Sequence, residues 1–506
     1  MRKLVILRRI SQAGFFLLFV YILWSTTYPL KGLISPQVIF KIDPLIMLMT
    51  ALSERILLPG LIFALIMVLL TLILGRFFCG WVCPLGAMVD WSGALRRRKG
   101  KTLDKGLRRA IRMPKFVILA LIVLLALLGF QVAWVLDPIV TVARVISLNV
   151  IPGVTMALNN AFQFVIQKFG LYGGFYDLFR YFKDGFLGIN AQFFDNSFIT
   201  LIGFLLICLS SIFVMRLWCR MLCPLGAWYA VNAAPALLER KVGRCISCGD
   251  CARLCRMGAI ETGKDYQKGE CILCMDCVYE CPERSTQFSW RPQAPNRAAA
   301  SSEKGLTRGQ FLWLFVSGIF LWSARPARAS AGKSEGGGHP VIRPPGALPE
   351  GKFVDTCVRC GNCMKVCITN GLQPVVLESG VEGLWTPRLV PEIGYCEYKC
   401  TLCGEVCPTG AIPQLSVTEK QKAKLGLAVI DHRICLAWDG NEECIVCEEH
   451  CPVSEKAIKI REEVVNGKKI FRPSVDAGLC VGCGICQNKC PVRPLRAIRV
   501  DPRKAA

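Results

Sequence analysis

Histidine is nearly absent from this sequence. Only His339, His432 and His450 occur in 506 residues, and none lies in an apolar run long enough to cross a bilayer. That excludes a membrane haem held by two histidines. With no Cys-x-x-Cys-His present, covalently attached haem is excluded as well, so no haem is expected. There is also no nucleotide-binding loop, metal-hydrolase motif or nucleophile arrangement, which argues against phosphoryl transfer and hydrolysis. Acidic residues are scarce, 37 against 61 lysines and arginines, for a formal net charge of +24. Such an excess suits nucleic acid or an anionic membrane surface. No aromatic-basic platform for nucleic acid accompanies it. Ten basic residues and a single Asp fall between Leu95 and Lys115, a short loop joining two apolar runs, so the membrane is the favoured partner.

What the chain has in abundance is apolar residues, 53% of the total, and 29 cysteines. Four runs meet the criterion of about 20 mostly apolar residues for a spanning helix: Ala13 to Leu30, Ile56 to Leu74, Phe116 to Leu136 and Phe198 to Leu217. The basic start MRKLVILRR and the arginine-rich loop place the amino terminus in the cytoplasm by the positive-inside rule, and leave Lys31 to Arg55 and Asp137 to Ser197 outside. Val145 to Phe169 is read as lying on the membrane surface. The expected fold begins with an α-helical membrane domain of four main transmembrane helices, arranged as two repeated hairpins with room for a fifth span. The divisions are a membrane domain over 1–239, a cysteine-rich domain over 240–290, a linker over 291–350 and a second cysteine-rich domain over 351–506. Within the linker, Leu306 to Gly332 has a basic start, an apolar core over 308–325 and Ala327-Arg328-Ala329, the ordered parts of an export signal. Thr307 to Leu312 resembles the twin-arginine export motif with Gly309 in place of the second arginine. A short buried helix is the plainer alternative.

The cysteines fall mostly into six groups of four. Cys245, Cys248, Cys251 and Cys255 are spaced Cys-x2-Cys-x2-Cys-x3-Cys, and Cys271, Cys274, Cys277 and Cys281 repeat that spacing with Pro282 after the last. Three closely spaced thiolates suit three corners of a cubane, while the fourth reaches the neighbouring cluster. This assigns Cys245, Cys248, Cys251 and Cys281 to one [4Fe-4S] cluster, and Cys271, Cys274, Cys277 and Cys255 to a second. Zinc ribbons normally use two separated pairs instead. Four further groups follow: Cys357, Cys360, Cys363, Cys367; Cys396, Cys400, Cys403, Cys407; Cys435, Cys444, Cys447, Cys451; and Cys480, Cys483, Cys486, Cys490. The gaps between these groups are almost equal, so spacing leaves their pairing open. These spacings make 240–290 a two-cluster domain and 351–506 a four-cluster domain, so that α+β bacterial-type ferredoxin domains complete the expected fold. Six [4Fe-4S] clusters ligated through these cysteines, and no bond-making machinery, indicate electron conduction.

Four more cysteines stand apart. GRFFCGWVCPLGA, Gly75 to Ala87, and MRLWCRMLCPLGA, Met215 to Ala227, each follow an apolar run and share Cys-x3-Cys-Pro-Leu-Gly-Ala. A proline after the second cysteine should turn the chain away from the helix. Cys79, Cys83, Cys219 and Cys223 are therefore the candidate catalytic residues, converging from two helix ends into one site. That site would hold a seventh cluster or metal, form a redox disulfide, or act as a reactive half-site without a cofactor. Asp137 and Arg144, near the outer mouth, are further candidates, for managing protons, against the plainer reading that they are solvated at an interface.

These residues carry a resemblance. Gly75 to Ala87, Met215 to Ala227 and the two-cluster domain after them resemble the NapH and MauN family of membrane ferredoxins. The groups from Cys357 to Cys490, preceded by a signal-like segment, resemble the exported four-cluster ferredoxins NapG and MauM, as if both partners were fused. The resemblance implies a quinol dehydrogenase of a respiratory chain, multi-pass in the bacterial inner membrane, that passes electrons from membrane quinol to a periplasmic cytochrome or reductase. The basic loop and the signal-like segment put 240–290 in the cytoplasm and 351–506 in the periplasm, against the alternative that the segment does not cross and all clusters form one cytoplasmic chain. The alternative is a metallocentre assembly or copper-reducing polyferredoxin; a redox-sensing regulator fits less well, since no large domain precedes the first helix. The sequence departs from the ferredoxin pattern at Arg256 and Ile368, which stand where proline often follows the last cysteine.

Overall fold

The computed structural model describes residues 2–30, 32–94, 105–183, 192–261, 265–290, 341–439, 442–465 and 468–504. The export-like segment Leu306 to Gly332, the apolar stretch 308–325 within it and most of the expected linker lie outside the described residues, as do residues 95–104 of the basic loop. The chain forms two compact units. One comprises Met1–Tyr21, Val38–Ala143 and Thr200–Gly332; the other comprises Ile22–Gln37, Arg144–Ile199 and Lys333–Ala506.

Among the described residues, three helices are long and apolar enough to cross a membrane: Lys3–Trp24, Ala110–Leu127 and Pro138–Phe169. The first two overlap expected spans. The runs expected to cross at Ile56 to Leu74 and Phe198 to Leu217 instead form shorter apolar helices, Leu61–Leu74 of 14 residues and Phe198–Phe213 of 16 residues. Backbone geometry sets their length. Gly60 and Gly75 bound Leu61–Leu74 with φ of 96° and 86°, conformations that glycine adopts without the Cβ penalty and that end a helix. Arg216, at φ 54°, breaks the chain after Phe198–Phe213 in the same way. Fourteen residues at 1.5 Å each reach about 21 Å, less than a hydrocarbon core of about 30 Å. The Leu61–Leu74 helix turns Ile62, Leu65, Ile66 and Leu69 outward and buries Thr71, whose hydroxyl donates to the Met67 carbonyl at 2.8 Å. Apolar side chains outside and small polar ones inside suit lipid rather than water. The stretch Val145 to Phe169, expected on the membrane surface, belongs to the third long helix. There a π-helical turn, Ile146–Val150, joins Pro138–Val145 to Ile151–Phe169.

In the first unit, an antiparallel pair of strands, Glu239–Val242 and Thr286–Ser289, ties the two ends of the first ferredoxin region together, with Arg240 opposite Phe288. In the second unit, Leu427–Ile430 pairs antiparallel with Ile498–Asp501, and Ile458–Val465 with Lys468–Val475. One core gathers Phe353, Met364, Val366 and Val406; another gathers Ala428, Ala457 and Ile498. Segments distant in sequence pack into the same unit. The fully buried Lys365 ammonium donates to the carbonyls of Trp24 and Thr26 at 3.3 and 3.0 Å, and the Gln37 amide donates to the Glu405 carbonyl at 2.6 Å.

Candidate functional site

The two ferredoxin regions bring their cysteines together by threes and ones. Cys245, Cys248 and Cys251 line one cavity with Cys281, and Cys271, Cys274 and Cys277 line a second with Cys255. In the other unit, Cys357, Cys360 and Cys363 share a cavity with Cys407, while Cys396, Cys400 and Cys403 share one with Cys367. Cys480, Cys483 and Cys486 share a cavity with Cys451. Cys435 is influenced electrostatically by Cys444 and Cys490, and Cys447 by Cys435 and Cys444, which groups the remaining four. The first group thus exchanges its last cysteine with the second, and the third with the fourth.

The loops around these thiols fit an anionic cluster. In four of them the residues two and four places after the first cysteine have positive φ: Ser247 and Gly249, Leu273 and Met275, Arg359 and Gly361, Gly482 and Gly484. Alternating right- and left-handed residues turn successive N–H groups inward, the concavity that binds anions and iron–sulfur centres. Backbone N–H groups also donate directly to sulfur, Ala259 to Cys255 at 3.2 Å and Ile412 to Cys407 at 3.4 Å. These residues therefore fit [4Fe-4S] groups held by thiolates. Ile368 lines the cavity of Cys367. Arg256 is an ion-pairing residue, with its guanidinium 3.1 Å from Asp90 and 2.5 Å from Asp276, contacts that the more usual proline could not make.

The remaining four thiols occupy matching places in two halves of the first unit. After each short helix, Phe78–Trp81 and Leu217–Met221, the second cysteine precedes a new helix, Pro84–Ala94 or Pro224–Asn232. Pro84 and Pro224 begin these helices, where proline's fixed φ is favourable and its missing N–H costs nothing. Cys83 and Cys223 stand just before them, accepting the N–H of Gly86 at 3.4 Å and of Gly226 at 3.2 Å on sulfur. All four cysteines are buried. Burial above all, then the Cys79 and Cys219 thiols, push the Cys83 thiol up, while Arg216 pulls it back; Cys223 is pushed up by burial and by the other three thiols.

Two buried arginines, which reading the cysteines alone misses, hold the halves together. Arg76 donates to the Cys79 sulfur at 3.3 Å and to the Cys219 carbonyl at 3.4 Å. Arg216 donates to the Cys79 carbonyl at 2.8 Å and forms two bonds of 2.7 Å to Asp90. Burial by itself would raise Asp90, but the Arg216 guanidinium outweighs it and holds the carboxylate well below its usual range. The sequence signal was available: each arginine stands three residues before the first motif cysteine. Cys208, a further half-buried thiol, belongs to none of the groups.

The thiol site abuts the loop of the second ferredoxin cavity. A Cβ on Gly80 would fall 2.1 Å from the Ile272 carbonyl oxygen, so only glycine permits this approach. The Trp81 indole N–H donates to the Leu273 carbonyl at 3.0 Å. Arg76 also reaches Glu270, at 3.1 Å, and Glu270 both binds Lys115 at 2.5 Å and lines the cavity of Cys271. Neither Asp137 nor Arg144 is solvated, contrary to the plainer reading of both: they are 0% and 2% exposed. Arg144 donates to the Arg359 carbonyl at 2.9 Å and lies over the Trp385 ring.

Comparison with known proteins agrees on the chemistry. A family described as a 4Fe-4S binding domain matches residues 56–102 and 196–245, each containing one Cys-x3-Cys-Pro motif, and a second family of the same description matches 473–496. The chain is 38% identical over 179 residues to the methylamine utilization ferredoxin-type protein MauM of Methylorubrum extorquens, covering 35% of this chain and 77% of that protein. It is 37% identical over 166 residues to MauM of Paracoccus denitrificans, covering 32% and 72%. Against the ferredoxin-type protein NapG of Escherichia coli it is 37% identical over 170 residues, covering 33% and 72%. No solved structure matches.

Proposed function

We propose, from the premise that the chain belongs to the ferredoxin-type family of MauM and NapG, that it is a membrane-bound quinol dehydrogenase carrying six [4Fe-4S] clusters. The single observation that carries this reading is the contact between the four-thiol site and the Cys271–Cys277 loop, made through Gly80, Trp81 and Arg76. When bound, the clusters supply one-electron transfer at potentials set by charge, burial and hydrogen bonds to sulfur. The chain's own part is to hold the thiolates, to donate N–H groups to them, and to keep water from the Cys79, Cys83, Cys219 and Cys223 site. Arg76 and Arg216 stabilise negative charge on those four thiols. Cys79, Cys83, Cys219 and Cys223 form the redox centre nearest the quinol, and a periplasmic cytochrome or reductase is the acceptor.

On this reading 240–290 faces the cytoplasm and 351–506 the periplasm. The second unit supports that arrangement, because the four-cluster region packs with Gln37 and Arg144, which lie in segments that charge distribution puts outside. The test uses the full chain in sealed vesicles. A reduced menaquinol analogue should bleach the iron–sulfur absorbance, and protease added to right-side-out vesicles should remove the four-cluster region. No bleaching by quinol, in protein that dithionite still reduces, would refute the dehydrogenase; complete protection from protease would reverse the topology.

A further inference from the structure

The two ferredoxin cavities of the first unit stand in unlike electrostatic surroundings. Around the cavity of Cys255, Cys271, Cys274 and Cys277, charged residues sit next to the cysteines themselves: Arg256 follows Cys255, Glu270 precedes Cys271, and Asp276 lies between Cys274 and Cys277. Each belongs to a mostly buried network. Arg256 lies 2.5 Å from Asp276 and 3.1 Å from Asp90; Arg8, on the first helix, lies 3.7 Å from Asp276; and Asp90 also holds Arg216 at 2.7 Å. Glu270 is shared by Arg76 at 3.1 Å and Lys115 at 2.5 Å.

Charge does not balance in that network. Five cations, Arg8, Arg76, Lys115, Arg216 and Arg256, meet three carboxylates, Asp90, Asp276 and Glu270, which leaves two positive charges over. Arg8 carries part of the excess, since it is 1% exposed and its Nε and Nη1 have no hydrogen-bond partner among the described residues. The other cavity is different. Its Cys248 is exposed, and the ion pair beside Cys251, Asp250 with Arg253, is 37% and 44% exposed. Arg240 lines both cavities and does not distinguish them. Water screens the charges at the exposed cavity, whereas buried charges keep most of their reach. The potential of an iron–sulfur centre follows net charge and exposure. Burial by itself opposes an added electron, but two uncompensated cations in the same dry surroundings attract that electron with equally little screening and outweigh it.

We propose that Arg256, standing where proline often follows the last cysteine, sets the direction of electron flow in this region. With the excess cations behind it, Arg256 raises the reduction potential at Cys255, Cys271, Cys274 and Cys277 above that at Cys245, Cys248, Cys251 and Cys281. Electrons from the thiol site are thereby drawn to the set of cysteines that the thiol site abuts. The inference rests on the quinol reading above, with quinol as the reductant. In the step, one electron leaves the thiol site, which is oxidised, and one iron–sulfur centre is reduced; no bond forms or breaks and no proton moves.

Redox titration of the full chain with chemical mediators, followed by EPR, reads the potentials without quinol. Arg256→Gln should lower one cluster signal by about 59 mV, a tenfold shift for one electron, and Arg256→Lys should restore it. Asp276→Asn removes the opposite charge beside the same cysteines and should raise that same signal. Loosened packing would move both variants in one direction, so opposite signs separate the two causes; where Arg256→Gln does not fold, Asp276→Asn carries the test. Asp250→Asn, at the exposed cavity, should move a second signal by less, and in wild type that second signal should lie lower. An unshifted signal in Arg256→Gln, shifts of one sign in Arg256→Gln and Asp276→Asn, or a wild-type order with the Arg256-sensitive signal below the other, would overturn the proposal. Failure of the quinol reading is separately recognisable, since wild type would then titrate with mediators and yet not react with quinol.

Discussion

The two halves of the thiol site share the pattern Arg-x-x-Cys-x3-Cys-Pro-Leu-Gly-Ala but use it unequally. What they have in common builds the cradle: each arginine reaches a carbonyl of the other half, and each second cysteine accepts an N–H from its helix start. The difference lies in what surrounds the cradle. Arg216 finds its carboxylate in Asp90, within the first half, whereas Arg76 finds Glu270, on the rim of a ferredoxin cavity. The first cysteine is followed by Gly80 in one half and by Arg220 in the other. Gly80 lets the Ile272 backbone approach, and Arg220 instead presses its guanidinium against Gly258. Duplication explains why matching thiols stand in both halves; divergence explains why one half faces the Cys271–Cys277 loop.

Breaking what the halves share should have the largest effect. With Cys79, Cys83, Cys219 and Cys223 all changed to serine, quinol-driven reduction should fall to background while the iron of the ferredoxin cysteines remains, measured by iron analysis beside stopped-flow bleaching. Unchanged turnover would mean that the duplicated thiols only pack.

The arginines separate the halves. Arg216→Gln removes two 2.7 Å bonds from a buried Asp90, which keeps the Arg256 contact at 3.1 Å, and should cost about 3–5 kcal/mol, read as a lowered unfolding midpoint in detergent. Arg76→Gln should cost less, since it gives up one 3.1 Å contact while Lys115 keeps both Glu270 oxygens, yet should change the midpoint potential of the thiol site by removing a donor from the Cys79 sulfur. Equal losses of stability would erase the asymmetry.

A smaller effect is expected at the residue after the first cysteine. Gly80→Ala must push the Ile272 carbonyl aside and should cost about 1–3 kcal/mol by overpacking, with slower electron transfer into the Cys255, Cys271, Cys274 and Cys277 set. Arg220→Ala, in the matching place, should leave that transfer rate unchanged. Rapid-freeze EPR of the two variants compares them directly.

Much of this was legible in the chain itself, and the limit has a physical cause in each case. The six cysteine groups and the duplicated motif could be read directly, because a cubane needs three closely spaced thiolates and such spacing is local. Helix lengths were less legible. The left-handed turns at Gly75 and Arg216 stop helices that hydropathy would continue, and hydropathy does not register a change in φ. Arg256 looked like a departure from pattern because its partners, Asp90 and Asp276, are 166 and 20 residues away along the chain.

The sequence alone determined which atoms can bind iron, because ligand identity is a property of side chains, and determined that the thiol motif is duplicated, because a repeat is visible in one dimension. Only tertiary structure decided which fourth cysteine completes each group between Cys357 and Cys490: the gaps between those groups are nearly equal, and the choice between Cys367 and Cys407 depends on how the loops cross. It also decided that Arg76 and Arg216 span the halves. Each of those contacts joins residues whose separation along the chain carries no periodic signal, so only the packing of their helices brings them within reach of one another.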